Sequence, residues 1–91
     1  MTTARDASER LLRALLTIAS QEQRTHCSDP GLSELWLSDH EGERAEAARL
    51  CIGCPVITEC GAAAIANDER WGVWGGHDRT VRPGRPKKAA A

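Results

Sequence analysis

The sequence predicts an all-α protein: a small domain of three to four helices, followed by a disordered basic C-terminal tail. Three observations carry this. Three stretches have helical spacing or helical composition, no run supplies strands, and large apolar side chains are few.

The first helix is expected from Asp6 to about Ser20. Leu11, Leu15 and Ile18 recur at helical spacing, with Leu12, Leu16 and Ala19 beside them. So wide a stripe must pack on something. Asp6 and Glu9 fit a capping box at its start, and Gln21 to Arg24 extend or fray its end. Residues 25–40 have no clear period and carry a turn signal, Asp29-Pro30-Gly31. Ser38 with Glu41 fits a second capping box, opening an alanine-, glutamate- and arginine-rich helix over about Glu41–Leu50. Gly53 and Pro55 end that helix. Thr58 is the expected N-cap of a third helix, about Glu59–Asn67, and Trp71-Gly72-Val73-Trp74-Gly75-Gly76 reads as a tight turn.

Ninety-one residues make one small domain at most, and 14 of its apolar residues are alanine. There is no Phe or Tyr, and the three Trp supply all the aromatic area. A core so thin needs a disulfide, a metal, a cofactor or a partner. No apolar run approaches the ~20 residues of a membrane span, so no membrane role is expected. The first residues lack the apolar stretch of a signal peptide, which makes a reducing cytoplasm the expected compartment. No glycine-rich phosphate loop is present, and the chain is too short for most α/β enzyme folds; it is not expected to be an enzyme.

Charge divides the chain. Residues 1–78 carry a net −6 and residues 79–91 a net +5, an arrangement suited to contact with a partner. Three segments follow: an N-terminal helix (1–24), a cysteine-bearing body (25–78) and a basic tail (79–91).

The four cysteines are Cys27, Cys51, Cys54 and Cys60. Cys51 and Cys54, three apart at a helix end, can face one point. Cys60 falls near the start of the third helix, where free N–H groups favour thiolate. One centre held by all four would tie together every element of a weak core. Spacing leaves three readings open: an iron–sulfur cluster, a structural zinc, or a Cys51/Cys54 thiol–disulfide pair. Of the histidines, only His26, beside Cys27, is a candidate neighbour of such a centre.

Cys27, then Cys51-Ile52-Gly53-Cys54-Pro55-Val56-Ile57-Thr58-Glu59-Cys60, then Gly72-Val73-Trp74-Gly75-Gly76 and a basic tail, resemble the WhiB-like proteins of actinobacteria and their phages. The resemblance covers about residues 26–88. It implies a 4Fe-4S cluster on Cys27, Cys51, Cys54 and Cys60 within a small helical fold. It implies regulation of transcription by binding the C-terminal domain (region 4) of the primary sigma factor, with a cluster sensitive to oxygen or nitric oxide. The sigma-binding residues it implies are Trp36, Trp71, Gly72, Val73, Trp74, Gly75 and Gly76. Where the family often has several aromatics soon after the first cysteine, this chain has Trp36 alone.

The tail resembles an AT-hook, whose Arg-Gly-Arg-Pro centre enters the minor groove of A·T-rich DNA. Gly84-Arg85-Pro86 match that centre, and Pro83 displaces Arg82 by one residue. Arg82, Gly84, Arg85, Pro86, Lys87 and Lys88 are therefore the expected contacts with promoter DNA.

Overall fold

A computed structural model describes residues 3–81. Three α-helices run over Ala4–Ser20 (α1), Glu41–Leu50 (α2) and Ile57–Ala66 (α3). Short 3-10 helices at His26–Ser28 and Ser33–Leu37 lie between α1 and α2. Antiparallel β1 (Val73–Trp74) and β2 (His77–Asp78) close the described chain. Among the described residues no helix is long and apolar enough to cross a membrane.

The fold is helical as expected, with one correction: the glycine turn is a β-hairpin. Trp74 pairs with His77 across Gly75-Gly76, whose φ angles are 60° and 84°. Two positive φ values define the two-residue loop whose twist suits a hairpin. Val and Trp before Gly-Gly carried that signal. The pairing continues outward through Arg79 N–H to Gly72 O (2.8 Å) and Val81 N–H to Arg70 O (3.0 Å). Arg79, grouped by charge with the tail, is thus bonded into the hairpin.

The helix ends differ from the sequence reading in detail. Thr3 is the N-cap of α1 and accepts from the Asp6 N–H at 3.0 Å, so Asp6 sits inside the helix. Beyond Ser20 the helix neither extends nor frays. Glu22 takes a left-handed φ of 60°, and Gln23 N–H returns to Ile18 O at 2.9 Å, a Schellman stop. The same device ends α3 at Asn67-Asp68, where Glu69 N–H reaches Ala64 O at 2.9 Å. The N-cap of α2 is His40; Ser38 accepts from its N–H at 3.0 Å and bonds Glu43. The N-cap of α3 is Val56 rather than Thr58.

The core is as thin as composition implies. Trp36, Ala47, Cys51 and Val73 form its buried centre, flanked by Leu32, Leu35, Leu50 and Ile57. A second contact joins α1 to α3, where the small residues Ala7, Ala63 and Ala64 are buried. Only the inner part of the α1 stripe is used: Ile18 is buried, while Leu12 and Leu16 are 57% and 62% exposed. The expected DNA contacts, Arg82, Gly84, Arg85, Pro86, Lys87 and Lys88, lie outside the described residues.

Candidate metal centre

All four cysteines line one cavity of about 260 Å³. Cys51 is delivered by the end of α2, Cys54 by the turn that follows, Cys60 by the first turns of α3 and Cys27 by the first 3-10 helix. Leu11 and Leu15 of α1, Trp36 and Trp74 complete a mostly apolar wall, and no Asp or Glu is among the lining residues. All four thiols are free; Cys51 is buried, Cys54 and Cys60 half-buried, Cys27 exposed. Among the described residues, no three His, Cys, Asp or Glu form a group that could hold a single metal ion.

Hydrogen bonds reach three of the four sulfurs. The Gly75 N–H donates to Cys60 Sγ at 3.2 Å, and the Thr25 hydroxyl and Cys27 thiol share a bond of 3.1 Å. Cys60 is the fourth residue of α3, and its own N–H is bonded to Val56 O at 2.9 Å. The polar support for its sulfur therefore comes from the hairpin. Burial pushes the Cys60 thiol up, the Gly75 N–H opposes this, and Cys27, Cys51 and Cys54 add to the rise. Burial also pushes Cys54 up, against a backbone hydrogen bond from Val56. Burial thus favours the protonated form of Cys54 and Cys60 until a bound cation draws off their protons.

The hairpin is wedged between the second 3-10 helix and α3. At Gly72 (φ 85°) a Cβ would lie 2.6 Å from Leu37 Cδ2 and 2.7 Å from Trp36 O. At Gly75 it would lie 2.5 Å from Gly61 Cα. Only glycine allows both approaches.

The expected partner-binding residues divide by burial. Trp36, Gly72 and Val73 are buried and support the site from within. Trp71 is 40% exposed, its indole N–H donating to Leu37 O at 3.2 Å. Half-buried Trp74 lines the cavity and donates to Trp71 O at 2.9 Å. Gly75 and Gly76 are half-buried. His26 is exposed and also lines the cavity. Sequence reasoning missed Thr25, two residues before Cys27, and the ion pair of Arg44 with Asp78. The hydroxyl at that spacing was a usable signal for the first; nothing local marked the second.

The geometry defines a small helical protein built around a four-thiol pocket and capped by a tryptophan hairpin. A family model described as Transcription factor WhiB matches residues 21–83. The chain belongs to the WhiB family. It is 42% identical over 71 residues to the transcriptional regulator WhiB7 of Mycolicibacterium smegmatis, spanning 69% of this chain and 66% of that protein. It is 35% identical over 94 residues to a probable transcriptional regulator WhiB7 of Mycobacterium tuberculosis, spanning 85% of this chain and 97% of that protein. It is 41% identical over 71 residues to the transcriptional regulator WhiB of Streptomyces coelicolor, spanning 76% and 77%. No solved structure matches the chain.

Proposed function

We propose that this chain is a cytoplasmic, non-enzymatic transcriptional regulator that holds a 4Fe-4S cluster on Cys27, Cys51, Cys54 and Cys60. It docks region 4 of the primary sigma factor through the tryptophan hairpin and touches promoter DNA through Arg82–Lys88. The observation that carries the reading is the cavity lined by all four free thiols and roofed by Trp36 and Trp74. Four thiols on the wall of one mostly apolar cavity suit a centre in which each iron takes one thiolate. A single zinc would instead draw all four sulfurs to ~2.3 Å from one ion.

When bound, the cluster supplies iron that reacts with oxygen or nitric oxide. The chain's own residues do the rest. The apolar wall limits water, and the Gly75 N–H stabilises negative charge on Cys60 Sγ. Trp74 lines the cavity, and its indole N–H donates to the carbonyl of the more exposed Trp71, so one side chain touches both the pocket and the outer face of the hairpin.

The test is anaerobic purification of the full chain. A brown protein with about four irons per chain and broad absorbance near ~400 nm, retained by sigma region 4, supports the reading. A colourless chain holding one zinc makes it a zinc-stabilised interaction module. A colourless, metal-free chain whose Cys51 and Cys54 cycle between dithiol and disulfide makes it an oxidoreductase. Either outcome overturns the cluster. For the tail, equal affinity on A·T-rich and G·C-rich probes would reduce Arg85 and its neighbours to nonspecific charge.

A further inference from the structure

We propose that Arg44 is a positioning residue for the hairpin: paired with Asp78, it holds Trp71 at the docking face and the Gly75 N–H on the Cys60 sulfur. The inference deepens the reading of the hairpin as a docking surface and rests on it.

Arg44 lies seven residues, two helical turns, before Cys51 on α2, so one face of that helix carries both. Its side chain is only 4% exposed, in a stretch otherwise rich in alanine. One guanidinium meets three elements. Nε donates to both Asp78 oxygens at 3.2 and 3.0 Å, holding β2. Nη1 donates to Ser38 O at 2.8 Å, holding the end of the second 3-10 helix. The guanidinium carbon stands 5.3 Å from the Trp71 ring centroid, within reach of a cation–π contact.

From there the contacts continue without a gap. The Trp71 indole donates to Leu37 O at 3.2 Å, and the Trp74 indole to Trp71 O at 2.9 Å. Arg79 Nε donates to Trp74 O at 3.1 Å, and the next residue, Gly75, donates to Cys60. The hairpin is short, and its glycines give it little stiffness of its own. Its orientation is set by what grips it. At one end the grip is Arg44; at the other it is α3. A lysine at position 44 keeps the charge but lacks the planar fork that bonds Asp78 and Ser38 together while facing an indole.

The test uses the full chain, loaded anaerobically, as the parent and as Arg44→Lys, Asp78→Asn, the double variant, and Ala45→Gly. Ala45 is exposed on the same helix, so Ala45→Gly weakens α2 without touching the pair. Amide exchange of the 71–76 peptide and affinity for sigma region 4 are read together. In Arg44→Lys, exchange of that peptide should rise about tenfold and sigma affinity fall about tenfold, with iron content retained. Arg44→Lys and Asp78→Asn should be non-additive, because they remove one interaction. If Arg44→Lys loosens 71–76 no more than Ala45→Gly does, or if the two losses add, Arg44 merely supports the fold and the proposal fails. A parent that does not bind sigma would defeat the functional reading; the exchange data would still decide whether Arg44 positions the hairpin.

Discussion

Gly75 rests backbone against backbone on Gly61: a Cβ at position 75 would stand 2.5 Å from Gly61 Cα and 2.7 Å from its nitrogen. The contact is one-sided. A Cβ on Gly61 would meet nothing closer than Arg79 Nη2 at 3.7 Å and Gly75 Cα at 3.9 Å. The two glycines therefore answer substitution in opposite ways. Gly75→Ala adds the ~1–2 kcal/mol strain of a left-handed residue to a steric clash. It should lift the hairpin off α3, remove the hydrogen bond to Cys60 Sγ and weaken sigma binding by on the order of 2 kcal/mol. Gly61→Ala, inside α3, should raise stability by up to about 1 kcal/mol through helix propensity alone. Denaturant unfolding and sigma affinity of both variants check this; equal destabilisation would mean that the hairpin does not dock where Gly61 lies.

The two hairpin tryptophans should separate in their effects. Trp71 is 40% exposed and does not line the cavity, whereas Trp74 does. Trp71→Ala should weaken sigma binding by about 2 kcal/mol while iron content stays near the parent's. Trp74→Ala opens the pocket wall, so it should lower sigma affinity and also shorten the lifetime of the bound cluster in air. Iron content and cluster decay, measured beside sigma binding, distinguish the two roles. Cluster decay accelerated equally by both would place Trp71 in the wall as well.

The difference between these tryptophans was not legible in the sequence, and the reason is physical. Trp71 and Trp74 are three apart with glycine beside both, and only the fold decides which faces the pocket. Local rules did place what local physics controls. The helix bodies, the Asn67-Asp68 stop and the end of α2 near Cys51 follow from periodicity and turn chemistry within a few residues. Misreadings came where a neighbour competed. Thr3 took the cap assigned to Asp6, and Ser38 bonded Glu43 where a box with Glu41 was expected. The Gly-Gly pair was read as a turn alone, although flanking Val and Trp suited a hairpin. Leu12 and Leu16 are exposed because only the inner side of the α1 stripe is used, with Leu11 and Leu15 lining the cavity. The four cysteines singled out by their spacing all line one cavity. The Arg44–Asp78 pair was the least legible part of the site, since 34 residues separate its members.

That pair should leave an acid-side signature. Burial pushes the Asp78 carboxyl up, but hydrogen bonds from Thr80 and the Arg44 guanidinium outweigh it and hold the group below its ordinary value of 3.8. A carboxyl with a depressed folded-state pKa binds protons more weakly in the folded chain than in the unfolded one. Its contribution to stability is therefore complete above the unfolded pKa and is lost as pH falls through the folded one. The stability gap between the parent and Asp78→Asn should stay constant from about pH 7 to about pH 5, then narrow at more acid pH. Both chains are compared in the same metal state at each pH, so other titrations cancel. A gap that narrows already between pH 7 and 5 would point to a different group.

The four cysteines should be unequal when replaced by serine, because they lose different things. Each substitution removes a thiolate, so each should lower iron content sharply. Cys51 also sits in the buried core with Trp36, Ala47 and Val73. Serine there exchanges an apolar thiol for a hydroxyl inside that core, and such a polar replacement costs about 1–3 kcal/mol. Cys51→Ser should therefore lose helicity even in the metal-free chain. Cys27 is exposed, on a 3-10 helix of three residues, with the Thr25 hydroxyl beside its sulfur. A serine there keeps a hydrogen-bonding partner and stays in solvent. Cys27→Ser should thus match the parent in metal-free helicity while failing to retain the cluster. Iron per chain and far-UV circular dichroism, with and without metal, read the two losses separately. Full iron content in Cys27→Ser would break the four-thiolate assignment and turn attention to His26, which lines the same cavity.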